Sequence, residues 1–333
     1  MNEQGNLQLK LMNFHMQFIA LSAFLLLHSA TSFVLIPRRS ITTHLFDTPV
    51  SVSSSSQIII DLWGTLHNGK EVYPNVLSTL STLRASGCRC HVLSNSSKRL
   101  ISTLSQLKDL GFEDGTFDRV VTSGEVGFEV LRWLKTGSAG SDGALLSVTS
   151  PRTSSWLSSL TSSLPRGSPE TSLKVYVLGS GAEDDLSYVT DAGHTVTKSA
   201  HDADVVLGRG TMAVHDEGWT GTGDYEAFVK GRLEVLGRRD TPMICVNPDM
   251  IRPDVSKSMM PGTLAAWYEE VGGEVWRVGK PEGMVGECFD GVEEGEWWMV
   301  GDSIYTDLGF AGNSKGMGGI WCWGEGIHGD DIR

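Results

Sequence analysis

Four short strand-like runs, far apart in a chain of 333 residues, each lead into a polar residue with chemistry to offer. Ile58-Ile59-Ile60 leads to Asp61, and Cys90 to Leu93 leads to Ser94. Glu274 to Val278 leads to Gly279-Lys280, and Trp297 to Val300 leads to Gly301-Asp302. Ile58-Ile59-Ile60, a continuous apolar β-branched run, reads as a strand buried on both faces, the condition of a parallel sheet. Between the first runs the spacing turns helical. Val76, Leu77, Leu80 and Leu83 predict one helix, and Leu100, Leu104 and Leu107 a second, closed by Gly111. Alternating strands and helices predict a doubly wound α/β unit. Open sheets of that kind bind ligands outside the carboxyl ends of their strands. One polar residue there says little; four of complementary chemistry point to a site.

Further strand-like runs at Lys174 to Gly179, Asp204 to Gly208 and Met243 to Asn247 predict a second α/β unit over roughly residues 128–252. Within it, residues 136–172 are rich in Ser, Gly, Thr and Pro and read as a flexible surface insertion. Pro261 to Glu270 predicts a helix where the chain returns to the first unit.

The formal net charge is −13, which argues against nonspecific nucleic-acid or anionic-membrane binding. An anionic ligand would therefore need a local cationic site. The five cysteines are odd in number and irregular in spacing. Cys88 and Cys90 stand one residue closer than a CxxC pair, so reduced thiols are the expectation, not a disulfide framework.

The strand-end residues suit phosphoryl transfer. Asp61 supplies a carboxylate able to attack phosphorus and form an aspartyl-phosphate. Asp302 supplies a second to hold a hard cation by oxygen. Mg²⁺ would offset the repulsion between an anionic nucleophile and an anionic phosphate. Ser94 can donate to a phosphate oxygen, and Lys280 adds a compact positive charge.

Asp61-Leu62-Trp63-Gly64-Thr65 resembles the DxDGT first motif of the haloacid-dehalogenase-like hydrolases. Val92-Leu93-Ser94-Asn95-Ser96-Ser97 resembles the second motif, and Gly279-Lys280-Pro281 the third. Gly301-Asp302-Ser303-Ile304-Tyr305-Thr306-Asp307 resembles the fourth. The insertion between the second and third motifs resembles the cap of the class IIA subgroup, which contains nucleotide, pyridoxal-phosphate and phosphoglycolate phosphatases. Asn247-Pro248-Asp249, Pro261-Gly262-Thr263-Leu264-Ala265 and Tyr268 to Gly273 look most like a branch whose first motif reads DxWG. The resemblance implies a Rossmann-like core with a parallel sheet (57–127 and 253–333) and an inserted α/β cap (128–252). It implies a Mg²⁺-dependent phosphatase acting on a small phosphorylated metabolite. Asp61, Ser94 and Lys280 would be catalytic. Asp61, Asp302, Asp307 and the backbone carbonyl of Trp63 would hold the metal. Ser94, Asn95, Lys280, Asn247 and Asp249 would meet the substrate, and relatives of the subgroup often form homodimers through the cap.

One position departs from that pattern. Trp63 stands where the family has a second aspartate that protonates the leaving group and then activates water. Tryptophan does neither, so the expectation is a slow phosphatase limited to good leaving groups, or a phosphometabolite-binding protein without turnover. His67, six residues after Asp61, is the nearest titratable substitute. The Trp63 ring either stacks on a substrate or packs beside the site. Asp307 either braces the metal or caps its turn. Asn247 and Asp249 either face the substrate or form a turn.

At the N-terminus, the apolar run Phe18 to Leu27 and Ala30-Thr31-Ser32 read as a signal-like leader over residues 1–32. Residues 33–56 are Ser/Thr-rich, with Asp47 the only acid among them, and read as a transit-like linker. The order resembles the bipartite plastid leaders of algae with complex plastids, with secretion as the alternative. Secretion would expose the sequon Asn95-Ser96-Ser97 inside the predicted site, which weighs against it.

Overall fold

The computed structural model describes residues 33–36, 44–45, 53, 55–137, 145–146, 150–164, 171–181, 184–254, 256–289 and 295–322. The leader expected over 1–32 lies outside them. The strands are β1 (Phe33–Ile36), β2 (His44–Leu45), β3 (Gln57–Ile60), β4 (Arg89–Ser94), β5 (Arg119–Thr122), β6 (Lys174–Gly179), β7 (Thr195–Thr197), β8 (Val205–Gly208), β9 (Ala213–Val214), β10 (Met243–Cys245), β11 (Val275–Arg277), β12 (Trp297–Gly301) and β13 (Gly318–Cys322). The helices are α1 (Val76–Ala85), α2 (Leu100–Asp109), α3 (Ser123–Thr136), α4 (Pro151–Ser163), α5 (Asp184–Asp191), α6 (Tyr225–Gly237), α7 (Pro261–Glu270) and α8 (Gly309–Asn313). None of the described helices is long and apolar enough to cross a membrane.

The chain divides into two compact units. One takes the described residues within Met1–Val92, Phe112–Arg119 and Glu293–Arg333, the other those within Leu93–Gly111 and Val120–Val292. The first sheet has the order β2-β1-β13-β12-β3-β4-β5. Its centre is parallel, with Ile58 opposite Trp298 on one side and Cys90 on the other. Ile58, Ile59, Ile60, Val92 and Met299 are buried, as the unbroken apolar runs require. Each such side chain contributes roughly 1.5–3 kcal/mol on leaving water. The segment set aside as a transit-like linker adds an edge to this sheet. Phe33–Ile36, a run of four apolar residues, pairs antiparallel with β13.

The second sheet has the order β11-β10-β8-β6-β7, all parallel, with β9 added antiparallel to β6. Tyr176, Val206, Leu233, Met243, Leu264 and Tyr268 lie in its core. Two placements differ from the sequence reading. Strand β11, assigned there to the returning core, pairs with β10, so Lys280 follows a strand of the second sheet. The insertion 136–172 is not structureless, because residues 151–163 form α4. Ser150 caps that helix by accepting the Thr153 N–H, and Pro151 opens it. Thr153, Leu157 and Leu160 are buried at helical spacing, and Trp156 meets Trp276 edge-on at 5.4 Å. The abundant serines hid an apolar stripe.

His91 gives the first unit a pH dependence. Its ring is buried, bonded to Gln57 at 2.9 Å and stacked on Trp297. Burial, the largest cause, pulls its pKa from 6.5 down to about 4. Below the ordinary value the unfolded chain takes up a proton that the folded chain refuses. Stability is therefore lost as pH falls from about 6.5 towards about 4. Denaturant titration of the wild type should show about 2 kcal/mol less contribution from this group at pH 5 than at pH 7, and His91→Gln should remove that difference. Nearby, burial pushes the Cys90 thiol up to about 12 and raises Cys88 as well, so both remain protonated.

Candidate active site

In the first unit, Asp61 stands just past β3, its N–H bonded to the Val300 carbonyl of β12. Asp302 stands just past β12, and Asp307 lies in the π-type turn Ile304–Leu308. All three are buried. Each offers a carboxylate oxygen, and these oxygens lie within 4.8 Å of one another. Three ionised carboxylates so close and so poorly hydrated repel strongly, and a cation is the natural compensation. An all-oxygen donor set suits a hard divalent ion, so the residues fit the expected Mg²⁺. The field of the cluster reaches Cys322, whose thiol is pushed well above its usual range, by burial first and then by Asp302, Asp307 and Asp61.

The surrounding backbone is built to bring the carboxylates close. At Gly64, with φ +96°, a Cβ would stand 2.4 Å from Asp302 Oδ2. At Gly301 it would stand 2.1 Å from Asp307 Cγ. Only glycine allows either approach. Trp321 Nε1 donates to the Asp302 carbonyl at 2.9 Å and fixes the turn. Asp307 is held within its own turn. Its Oδ2 accepts the Ser303 N–H at 2.9 Å, and its carboxylate also belongs to the cluster. The cap proper is Ser303, whose hydroxyl accepts from the Thr306 N–H.

Trp63 and His67 belong to the loop after β3. The Trp63 indole lies beside Gly69, where a Cβ would be 3.4 Å from Nε1. The ring therefore packs on its own loop. His67 is buried, and its Nδ1 accepts the Gly69 N–H at 2.9 Å. A ring nitrogen that accepts from an amide carries no proton, so the neutral ring is protonated on Nε2. With its Nδ1 lone pair committed to the Gly69 amide, His67 is built into the loop.

In the second unit, Asn95 joins the residues expected at the substrate. Lys280 donates its N–H to Asn95 Oδ1 at 2.7 Å. Asn95 Nδ2 donates to the Lys280 carbonyl at 3.0 Å and to Asp249 Oδ1 at 2.8 Å. Asp249 N–H in turn donates to Asn247 Oδ1 at 3.1 Å. Both amide hydrogens of Asn95 are thus spent within the chain, which makes it a clamp on Lys280 and Asp249. Gly279, with φ +128°, lets the chain pass, since a Cβ there would be 2.5 Å from Asn95 Oδ1. Ser94 and Lys280 are buried, and the Ser94 hydroxyl oxygen accepts the Ser96 N–H at 3.2 Å. Its own hydrogen is left to donate. A fully buried ammonium such as that of Lys280 is tolerable only with polar or charged company.

The sequence reading missed Arg209. Its guanidinium is 2% exposed and clasped by Asp184 and Asp185. The signal was present: an arginine between Gly208 and Gly210, immediately after a buried strand.

The model of the haloacid dehalogenase-like hydrolase family matches residues 58–155, which include the first and second motifs. A haloacid dehalogenase-like family hydrolase from Brucella suis is similar over 83% of this chain and 88% of its own, at 22% identity and a TM-score of 0.58. A protein described as a putative NagD covers 79% and 87% at 21% identity and 0.52. A p-nitrophenyl phosphatase from Archaeoglobus fulgidus covers 78% and 83% at 20% identity and 0.50. At these identities the likeness is one of fold. No curated protein matches the sequence.

Proposed function

We propose that the chain is a haloacid dehalogenase-like hydrolase, the family whose model matches residues 58–155, and that it is a Mg²⁺-dependent phosphatase of a small phosphorylated metabolite, working through an aspartyl-phosphate on Asp61. The observation that carries this reading is the buried cluster of Asp61, Asp302 and Asp307 at the carboxyl ends of β3 and β12. Its company of solved folds, a p-nitrophenyl phosphatase among them, supports a phosphate ester as substrate. Asp61, Asp302, Asp307 and the Trp63 carbonyl would hold Mg²⁺, which supplies charge neutralisation for the approach of carboxylate to phosphate. Ser94 and Lys280 are the proposed phosphate ligands, with Asn95 positioning Lys280. Asn247 and Asp249 are proposed to serve the substrate side through that clamp. The placement in class IIA and the DxWG branch belong to this reading, as do dimerisation through the cap and delivery to a plastid by the leader.

A second reading follows from Trp63 and His67. Trp63 stands where an aspartate would serve two residues after Asp61, and His67 Nδ1 already accepts within the loop, so neither position supplies the usual general acid or base. General acid–base help is worth roughly 10²–10⁴-fold. The chain would then be a phosphometabolite-binding protein with little or no turnover.

Phosphate release separates the two. Acetyl phosphate and p-nitrophenyl phosphate, whose leaving groups need little protonation, should be hydrolysed with Mg²⁺ and not with EDTA. A simple alkyl phosphate should lag behind acetyl phosphate by roughly 10²–10⁴-fold. Absence of turnover on all three, while Mg²⁺ with orthovanadate still raises the melting temperature, would establish the binding protein.

A further inference from the structure

The loop after β4 carries Ser94 and Asn95, and three successive carbonyls just beyond them are held. Ser96 O accepts from the Gly124 N–H at 2.9 Å and from Ser123 Oγ at 3.3 Å. Lys98 O accepts from Thr122 Oγ1 at 2.9 Å. These donors sit at the start of α3, a short chain distance away. The carbonyl between them, Ser97 O, accepts from Arg209 Nη2 at 3.4 Å, a residue at the end of β8 in the second sheet.

Arg209 is aimed with unusual care. Asp184 takes Nη2 at 3.0 Å and Nη1 at 3.3 Å, and Asp185 takes Nη1 at 2.9 Å. Asp185 is itself fixed by the Ser180 and Gly181 N–H groups and the Ser180 hydroxyl. The guanidinium lies 4.6 Å over the Tyr188 ring, and the Tyr188 hydroxyl donates to Gly124 O at 2.5 Å. Gly124 presses on the same loop, since a Cβ there would be 2.3 Å from the Ser97 carbonyl. From one platform the guanidinium bonds the loop itself and the phenol holds Gly124, which packs against it. A buried ion pair is a weak stabiliser compared with apolar packing of the same volume, whereas it fixes direction well.

We infer that Arg209 is a positioning residue for the phosphate-holding loop, acting through the Ser97 carbonyl to set Ser94 and Asn95. The inference rests on the phosphatase reading for what the loop holds, though not for the clasp itself.

The test uses the full chain with Arg209→Met, Arg209→Lys and Tyr188→Phe. Steady-state kinetics on acetyl phosphate and inhibition by inorganic phosphate are read together with amide hydrogen exchange and melting temperature. Arg209→Met should raise KM and the inhibition constant about tenfold, the scale of a hydrogen bond from a charged donor, with kcat falling less. Arg209→Lys should recover part of that loss. Amide exchange should quicken over residues 94–100 and not across the whole unit. Tyr188→Phe should shift the same quantities in the same direction by less, and it decides the matter if Arg209→Met does not fold. Unchanged KM and phosphate inhibition in folded variants would overturn the inference, as would loss of activity only in proportion to loss of folded protein. If the wild type neither hydrolyses acetyl phosphate nor binds phosphate, the phosphatase reading fails. The exchange pattern then decides alone: local quickening upholds the clasp, and its absence overturns it.

Discussion

Asp61→Asn, assayed with Mg²⁺ and saturating acetyl phosphate, is expected to release phosphate at least ~10³-fold more slowly than the wild type. Asparagine keeps the shape of aspartate and loses the charge that makes the side chain a nucleophile. The fold should survive. Asp61 shares a buried space with Asp302 and Asp307, so the substitution removes one of three mutually repelling charges. The expected pair of results is therefore loss of turnover together with a melting temperature, measured in EDTA, close to that of the wild type. Mg²⁺ should raise that temperature less in the variant, because one oxygen ligand has lost its charge. A partly active variant with a much lower melting temperature would instead make Asp61 a structural carboxylate, and the aspartyl-phosphate route would fall.

Much of this was legible in the chain because it rests on local signals. Ile58-Ile59-Ile60 can scarcely be anything but a buried strand, and it is β3. Pro261 to Glu270 announces its helix by proline at the first turn, and it is α7. Asp61, Asp302 and Asp307 come together because parallel strands deliver their carboxyl ends to one edge. What stayed hidden depends on distant pairing or on atoms. Strand β11 looks like any short strand, and only its partner β10 reveals which sheet it joins. Helix α4 has a composition that suggests a loop, and its stripe of Thr153, Leu157 and Leu160 is brief. Asn95 reads as a ligand residue by its motif, but its two amide hydrogens go to Asp249 and Lys280, residues more than 150 positions away in sequence. Arg209 has no motif at all. Its meaning comes from two carboxylates of α5 and a carbonyl 112 residues back in the chain.

Trp63→Asp is expected to change activity in the opposite direction. The residue lies two positions past Asp61, and its indole rests against Gly69 within the same loop. It is half-buried, so a smaller polar side chain can be accommodated without opening a closed core. The backbone carbonyl proposed as a metal ligand is retained. A carboxyl group at this position could protonate a departing alkoxide and later accept a proton from the attacking water. Such help matters most where the leaving group is a poor one. Phosphate release from an alkyl phosphate should therefore rise by roughly 10²-fold, while release from acetyl phosphate, whose leaving group departs unaided, changes little. The ratio of the two rates is the informative quantity, since a general change in folding or metal affinity would move both together. A variant that binds Mg²⁺ as the wild type does and shows no change in that ratio would mean that the missing acid is not what limits this chain. The cause of any slow turnover would then lie in how the ester is held and not in how its leaving group departs.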